Sequence, residues 1–265
     1  MSRAGAALVA GVLIMAGPAE AAPLRVMSLD QCADQYVLAL TPGAELALSP
    51  RADDPDSWMR RQASGHRRLR PTLEAAIGFR PDVVVRYWGG DPRMLRALEQ
   101  RGVRVLTIAD AHDMDGVRAD VRHVAEGLGA SGAGETLVRG MAARLAAADR
   151  GGGSARSAVY LTAGGFTAGP GTLIDAILTA AGLRNATRSP GFSALSVERI
   201  ALRPPARFVL GFFEQVRADW RGAGRHPVVR RAAAARTSAS LPAAALSCPG
   251  WFAADAAALL ARAGR

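Results

Sequence analysis

The chain has 265 residues, nearly half of them apolar, which is enough for one large or two small domains with a sizeable core. All 33 basic residues are arginine, and with 23 acids the formal net charge is +10. The arginines form no continuous run with interleaved aromatics, which argues against nucleic acid as a partner. A chain without lysine also excludes a Walker-type phosphate loop.

Arg3 gives a thin positive start, residues 6–16 are apolar, and Ala19-Glu20-Ala21 has the small-x-small form of a cleavage site. The apolar stretch is too short to span a bilayer as a permanent helix. Residues 1–21 therefore read as a signal peptide, with a soluble, exported mature chain from Ala22. Cys32 and Cys248 are the only cysteines. In an oxidising compartment they can pair and link the first unit to the last. Two buried thiols, or a thiol at a ligand site, are the alternatives.

A short strand is predicted over 24–29, and Asp30 can cap a helix over 31–40. A second strand follows over 45–49. Residues 49–70 are polar and arginine-rich without clear periodicity, which suggests a functional surface loop with room for one helical turn. Then comes a unit that the chain states twice. Thr72 caps a short helix with Glu74 in its first turn, Pro81 ends it, and Val83-Val84-Val85 forms a buried strand. Further on, Ser196, Glu198, Pro205 and Phe208-Val209-Leu210 repeat the order and the spacing. Between the two units, helices are predicted over 91–101 and 113–129 around a strand over 103–108. Residues 131–149 read as one long helix with Leu137, Met141, Leu145 and Ala148 on one stripe, ended by Gly151-Gly152-Gly153.

After that break the strand–helix rhythm restarts. A strand is predicted over 158–161, a helix over 172–181, an extended piece over 183–186 and then the second Glu unit. Helices over 215–220 and 227–235, an extended or looped stretch over 241–246 and a last helix over 249–263 complete the chain. The whole reads as α/β: two lobes, each a mostly parallel sheet flanked by helices, joined by one long helix. The divisions are residues 22–130, the connecting helix 131–150, and 151–265.

The four histidines, His66, His112, His123 and His226, show no i, i+4 pairing, and neither cysteine stands in a CxxC. No Gly-x-Ser-x-Gly elbow is present. A bare metal site is poorly supported and no catalytic residue can be named, so binding rather than enzymatic turnover is expected. Aromatic residues gather instead at loop positions. Tyr87 and Trp88 follow a strand and precede Gly89-Gly90, Phe166 and Phe192 lie in loops of the later half, Phe213 ends a strand, and Trp251 opens the last helix. Ligands of open α/β sheets sit beyond the carboxyl ends of the strands, where such rings give flat walls. The expected ligand set is Tyr87, Trp88, Phe166, Phe192 and Trp251, with Arg51 from the arginine-rich loop.

The stretches RVMSLDQCADQYVLAL, LEAAIGFRPDVVV, WGGDPRMLRALEQRGVRVLTI, FTAGPGTLIDAILTAAGLRNA and SVERIALRPPARFVL follow one another in order. Together they resemble the periplasmic binding proteins of ABC importers that carry cobalamin and ferric siderophores, over essentially the whole mature chain. The resemblance implies two lobes on a rigid helix with the ligand between them, a monomer that needs no cofactor, and delivery to a permease dimer in the inner membrane. Glu74 and Glu198 fall at the positions where that family docks onto permease arginines. Tyr87 or Trp88, Phe166 and Phe192 fall in loops that stack on a corrin ring in the cobalamin-binding members. One loop departs from that pattern: Gly65-His66-Arg67-Arg68 is arginine-rich, suited to an anionic siderophore. The ligand reading is therefore a corrinoid first, a ferric siderophore close behind, and haem third. The LDQCADQ and LSCPGW stretches look like a subgroup with a cysteine in each place, which favours the pairing of Cys32 with Cys248. The contrasting reading is a secreted two-lobed enzyme acting on a chelate in the same cleft.

Overall fold

Val83, Val84 and Val85 show how both sheets are built. In the computed structural model, which describes residues 22–149, 156–215, 219 and 221–263, all three are fully buried. Val84 packs with Met27, Phe79 and Leu98 on one face of the sheet, while Val83 and Val85 enter a separate core on the other. An apolar run without alternation is what a strand covered on both faces requires. In the second sheet Val209 faces that same central core, and Phe208 and Leu210 face Ile200 and Val229.

The first sheet contains β1 (Arg25–Ser28), β2 (Glu45–Leu48), β3 (Arg67–Arg68), β4 (Val83–Arg86) and β5 (Arg104–Thr107). Its order is β3-β2-β1-β4-β5 and every pairing is parallel. The helices of this half are α1 (Gln31–Leu40), α2 (Leu73–Phe79), α3 (Pro92–Glu99) and α4 (Met114–Gly127). Then α5 (Ser131–Asp149) leads to the second half. There β6 (Arg156–Thr162), β8 (Leu183–Asn185), β10 (Phe208–Gly211) and β11 (Thr237–Leu241) form a parallel sheet in the order β11-β10-β6-β8. Its helices are α6 (Leu173–Ala180), α7 (Val197–Leu202), α8 (Pro227–Ala234) and α9 (Ala253–Ala263). A two-stranded antiparallel ribbon, β7 (Phe166–Ala168) with β9 (Phe192–Ala194), stands apart from both sheets.

The α/β class, the two sheets and the long connecting helix follow the sequence reading. The differences are local. β3, β7 and β9 were expected as loop, and the last strand lies at Thr237–Leu241, earlier than the extended stretch expected over 241–246. The leader, the Gly151–Gly153 joint and most of the helix expected over 215–220 fall outside the described residues.

α5 buries a narrow stripe, Gly134, Val138, Met141 and Ala148, against α4 and α9. A Cβ at Gly134 would come within 2.5 Å of the Ala125 Cβ, so glycine there lets α4 and α5 approach closely. The halves are also tied directly. Cys32 in α1 forms a disulfide with Cys248, with Cα atoms 5.3 Å apart across a sequence separation of 216. The Tyr36 hydroxyl donates to the Pro249 carbonyl at 2.8 Å, and Trp58 stacks on Phe252 with ring centroids 5.2 Å apart. Asp56, on the loop between β2 and β3, accepts from Gln31 at 2.9 Å on its own side, and from Gln215 at 3.3 Å and Ser247 at 3.4 Å across the gap.

Candidate ligand cleft

A cleft of about 370 Å³ opens between the two halves. One wall carries Tyr87, Asp110 and His112. The other carries Leu173, Ile174, Ile177 and Phe192, and the segment from Ala245 to Pro249 also lines it. The first wall follows the carboxyl ends of β4 and β5, where an open parallel sheet places its ligand.

Asp30 positions that wall. It is 1 % exposed, and its two carboxylate oxygens accept five backbone N–H groups. Oδ1 caps α1 through Cys32 and Ala33, both at 3.0 Å. Oδ2 holds the loop after β4 through Tyr87 at 2.7 Å, Trp88 at 3.1 Å and Gly89 at 2.8 Å. A buried carboxylate needs this density of donors to offset its lost hydration. Gly89 is required at the same place, because a Cβ there would lie 2.4 Å from the Leu29 carbonyl oxygen. The sequence showed the helix-capping half of Asp30 and not the loop-holding half.

The Tyr87 hydroxyl donates to Asp110 Oδ1 at 2.8 Å. Burial and this bond to a carboxylate push the phenol well above its ordinary range, so Tyr87 is neutral. Asp120, on α4 nearby, is buried with Oδ1 accepting from the Ala109 N–H at 3.0 Å and Oδ2 without a partner among the described residues. Burial raises its pKa. Deeper in the same half, Asp34 is fully buried between the Ser28 and Ser49 hydroxyls and the Ser49 N–H. Burial raises its pKa to about 6, outweighing those hydrogen bonds.

The expected ligand residues separate in the structure. Tyr87 and Phe192 line the cleft. Trp88 and Phe166 are more than half exposed, and neither is part of its lining. The ribbon register, Phe166 with Ala194 and Ala168 with Phe192, puts the two phenylalanines diagonally on one face. Two assignments are corrected. Trp251 is 6 % exposed and packs edge-on to Tyr36, 5.5 Å away, inside the central core. The rest of its segment is buried too, so this ring ties the halves together and offers no face to a ligand. Arg51 lies outside the cleft lining, held by Asp54 at 2.7 Å and Asp56 at 3.8 Å. Its guanidinium is spent on its own loop. Asp110 and His112 were missed because histidines were searched for helical metal spacing. The signal was their place just beyond β5, the rule already applied to Tyr87 beyond β4.

Glu74 and Glu198 are both exposed in the first turns of α2 and α7. Thr72 caps α2 by accepting from Ala75 at 3.2 Å, and Ser196 caps α7 by accepting from Arg199 at 3.1 Å. Arg25 on β1 closes the far end of α2 by donating to the Phe79 and Arg80 carbonyls. Ser196 also donates to Glu198 at 2.7 Å, which lowers that carboxylate's pKa. Glu74 has no hydrogen bond or ion pair among the described residues.

No family model matches the chain, and no curated protein sequence does. Solved structures do. The periplasmic heme-binding protein BhuT, in complex with two hemes, aligns with a TM-score of 0.67 and 25% identity over 90% of this chain and 97% of that one. The periplasmic heme-binding protein HutB of Vibrio cholerae aligns with a TM-score of 0.73 and 15% identity over 90% and 98%. The periplasmic vitamin B12 binding protein BtuF of Vibrio cholerae gives 0.64 and 18% over 91% and 96%. The chain thus has the two-lobed α/β fold of these periplasmic binding proteins.

Proposed function

We propose that the protein is the solute-binding component of an ABC importer, acting in the periplasm without catalytic turnover. It captures a metal chelate in the cleft between its lobes and delivers it to a permease dimer. The observation that carries the ligand reading is the pairing of walls: a phenol and an imidazole, Tyr87 and His112, face an apolar surface that ends in Phe192. Ferric haem fits that arrangement best. Its iron has axial positions open to a tyrosine oxygen or a histidine nitrogen. A siderophore saturates its iron, and the cobalt of cobalamin brings its own axial groups, so neither uses such a wall. The heme-binding neighbours support the same choice, which moves haem ahead of the corrinoid that the sequence put first. On this reading Tyr87 gives up its proton as it meets iron, and Asp110, 2.8 Å away, is placed to take it. Phe192 covers the flat face of the ligand, with Phe166 beside it on the same face of the ribbon.

Glu74 and Glu198 serve docking. Exposed carboxylates at the same position of two equivalent helices can form bidentate contacts with arginines of two permease subunits. Two experiments test the reading. Calorimetric titration with haemin, cyanocobalamin and a ferric siderophore should give sub-micromolar binding of haemin and weak or no binding of the others. Binding of only one of the others would reassign the ligand, and binding of none would remove the importer role. The Glu74→Ala, Glu198→Ala double variant should lose uptake while keeping its ligand affinity. Normal uptake by that variant would remove the docking role.

A further inference from the structure

Among the described residues five large apolar side chains are exposed: Ile77, Trp88, Phe166, Phe192 and Leu202. The three aromatics belong to the cleft loops already described. The other two, Ile77 and Leu202, lie on the two helices that carry the docking carboxylates. Ile77 follows Glu74 by three residues on α2, and Leu202 follows Glu198 by four on α7. Residues three and four apart share a helical face. Each helix turns its other side inward, through Ala76 and Phe79 in α2 and Ile200 in α7. Ile77 is 46 % exposed and Leu202 is 83 % exposed, although both helices have a core to pack against. Isolated exposed apolar residues are ordinary, but one on the same helical face as each of the two equivalent acids, three residues on in α2 and four residues on in α7, is a pattern.

We infer that Ile77 and Leu202 form the apolar half of the docking surface, each seating in the permease subunit that receives its neighbouring glutamate. The inference rests on the docking reading of Glu74 and Glu198. A matched acid-plus-apolar pair in each half fits a partner with two equivalent subunits, each offering an arginine beside an apolar depression. The two parts do different work. Exposed ion pairs steer the encounter and set its register, with little net affinity. Burying a branched aliphatic side chain supplies affinity and slows dissociation.

The test is an Ile77→Gln, Leu202→Gln double variant, because glutamine keeps a helix propensity close to that of leucine. Binding to the permease dimer of its importer in lipid nanodiscs should weaken about tenfold or more, mostly through faster dissociation. Haemin affinity and the thermal midpoint should not change. A companion Ile77→Leu, Leu202→Met variant should bind like the wild type. Wild-type affinity of the glutamine variant, with the Glu74→Ala, Glu198→Ala protein impaired, would overturn this inference alone. Wild-type affinity of the glutamine variant together with normal uptake by the Glu74→Ala, Glu198→Ala protein would overturn the docking reading as well. A wild-type dimer in sedimentation that the glutamine variant dissolves would assign the surface to a second copy of the chain, and would equally overturn it.

Discussion

In the half that precedes α5, the cleft loop hangs on one buried carboxylate. In the half that follows, it hangs on backbone pairing steadied by neutral side chains only: Thr162 accepts from the Phe166 N–H at 3.0 Å and Asn185 donates to the Ala168 carbonyl at 2.9 Å. Asp30 gathers Tyr87, Trp88 and Gly89 onto the cap of α1, and Asp34 and Asp120 lie buried in the same half. The corresponding aromatics of the second half ride on the β7–β9 ribbon, closed by Gly169 N–H to the Gly191 carbonyl at 2.8 Å and Leu195 N–H to the Gly165 carbonyl at 2.8 Å. On the haem reading proposed above, the difference matches what each wall would do. A group that meets a metal has to be held in one geometry. A ring that covers a flat apolar face needs only to be present, and a light ribbon suffices.

The sharpest way to break that contrast is Asp30→Ala. Five N–H groups, three of them buried and two half-buried, would lose their acceptor together, and urea unfolding should show a loss of about 4 kcal/mol. The cleft loop would be released with it, so haemin affinity should fall even though Asp30 touches no ligand. A loss under about 1 kcal/mol would mean that the carboxylate is not the hub of this half.

Asp34 gives the next largest effect, and its sign is distinctive. The unfolded carboxylate titrates near its ordinary 3.8 and the folded one at about 6, so the folded state binds more protons between these values. Stability from this group is therefore greatest below pH 4 and falls as the pH rises to 6, by about 3 kcal/mol in all. Asp34→Asn should gain on the wild type by that amount between pH 4 and pH 7. Unfolding curves that stay parallel over the range would contradict the assignment.

The smallest effect is expected in the second half. Phe192→Ala should leave stability within about 0.5 kcal/mol, since the ring is 68 % exposed. It should weaken haemin binding by about tenfold, the scale of one aromatic contact. Equal losses of stability from Asp30→Ala and Phe192→Ala would erase the distinction between the two walls.

What could be read from the sequence follows the same divide. The helices at Gln31–Leu40 and Ser131–Asp149 match their expected bounds, because capping and apolar periodicity are local signals. The paired Glu units were legible for the same reason. The ribbon was not: its three-residue strands lie among glycine and proline and carry no period of their own. β11 was placed late because Thr237, Ser238 and Ser240 dilute its pattern. Trp251 read as a loop aromatic because its local sequence does not show that Tyr36 and Phe252 pack against it. The contacts of Asp30 with Tyr87 to Gly89 join positions 57 to 59 residues apart, a distance no local pattern spans.

The most direct test of the cleft is the absorption spectrum of the protein loaded with ferric haem, recorded beside that of Tyr87→Phe. A tyrosine oxygen on iron should give a phenolate-to-iron charge-transfer band in the wild type, absent from the variant together with most of the affinity. A wild type that does not take up haem, or two proteins with the same spectrum and affinity, would contradict the account.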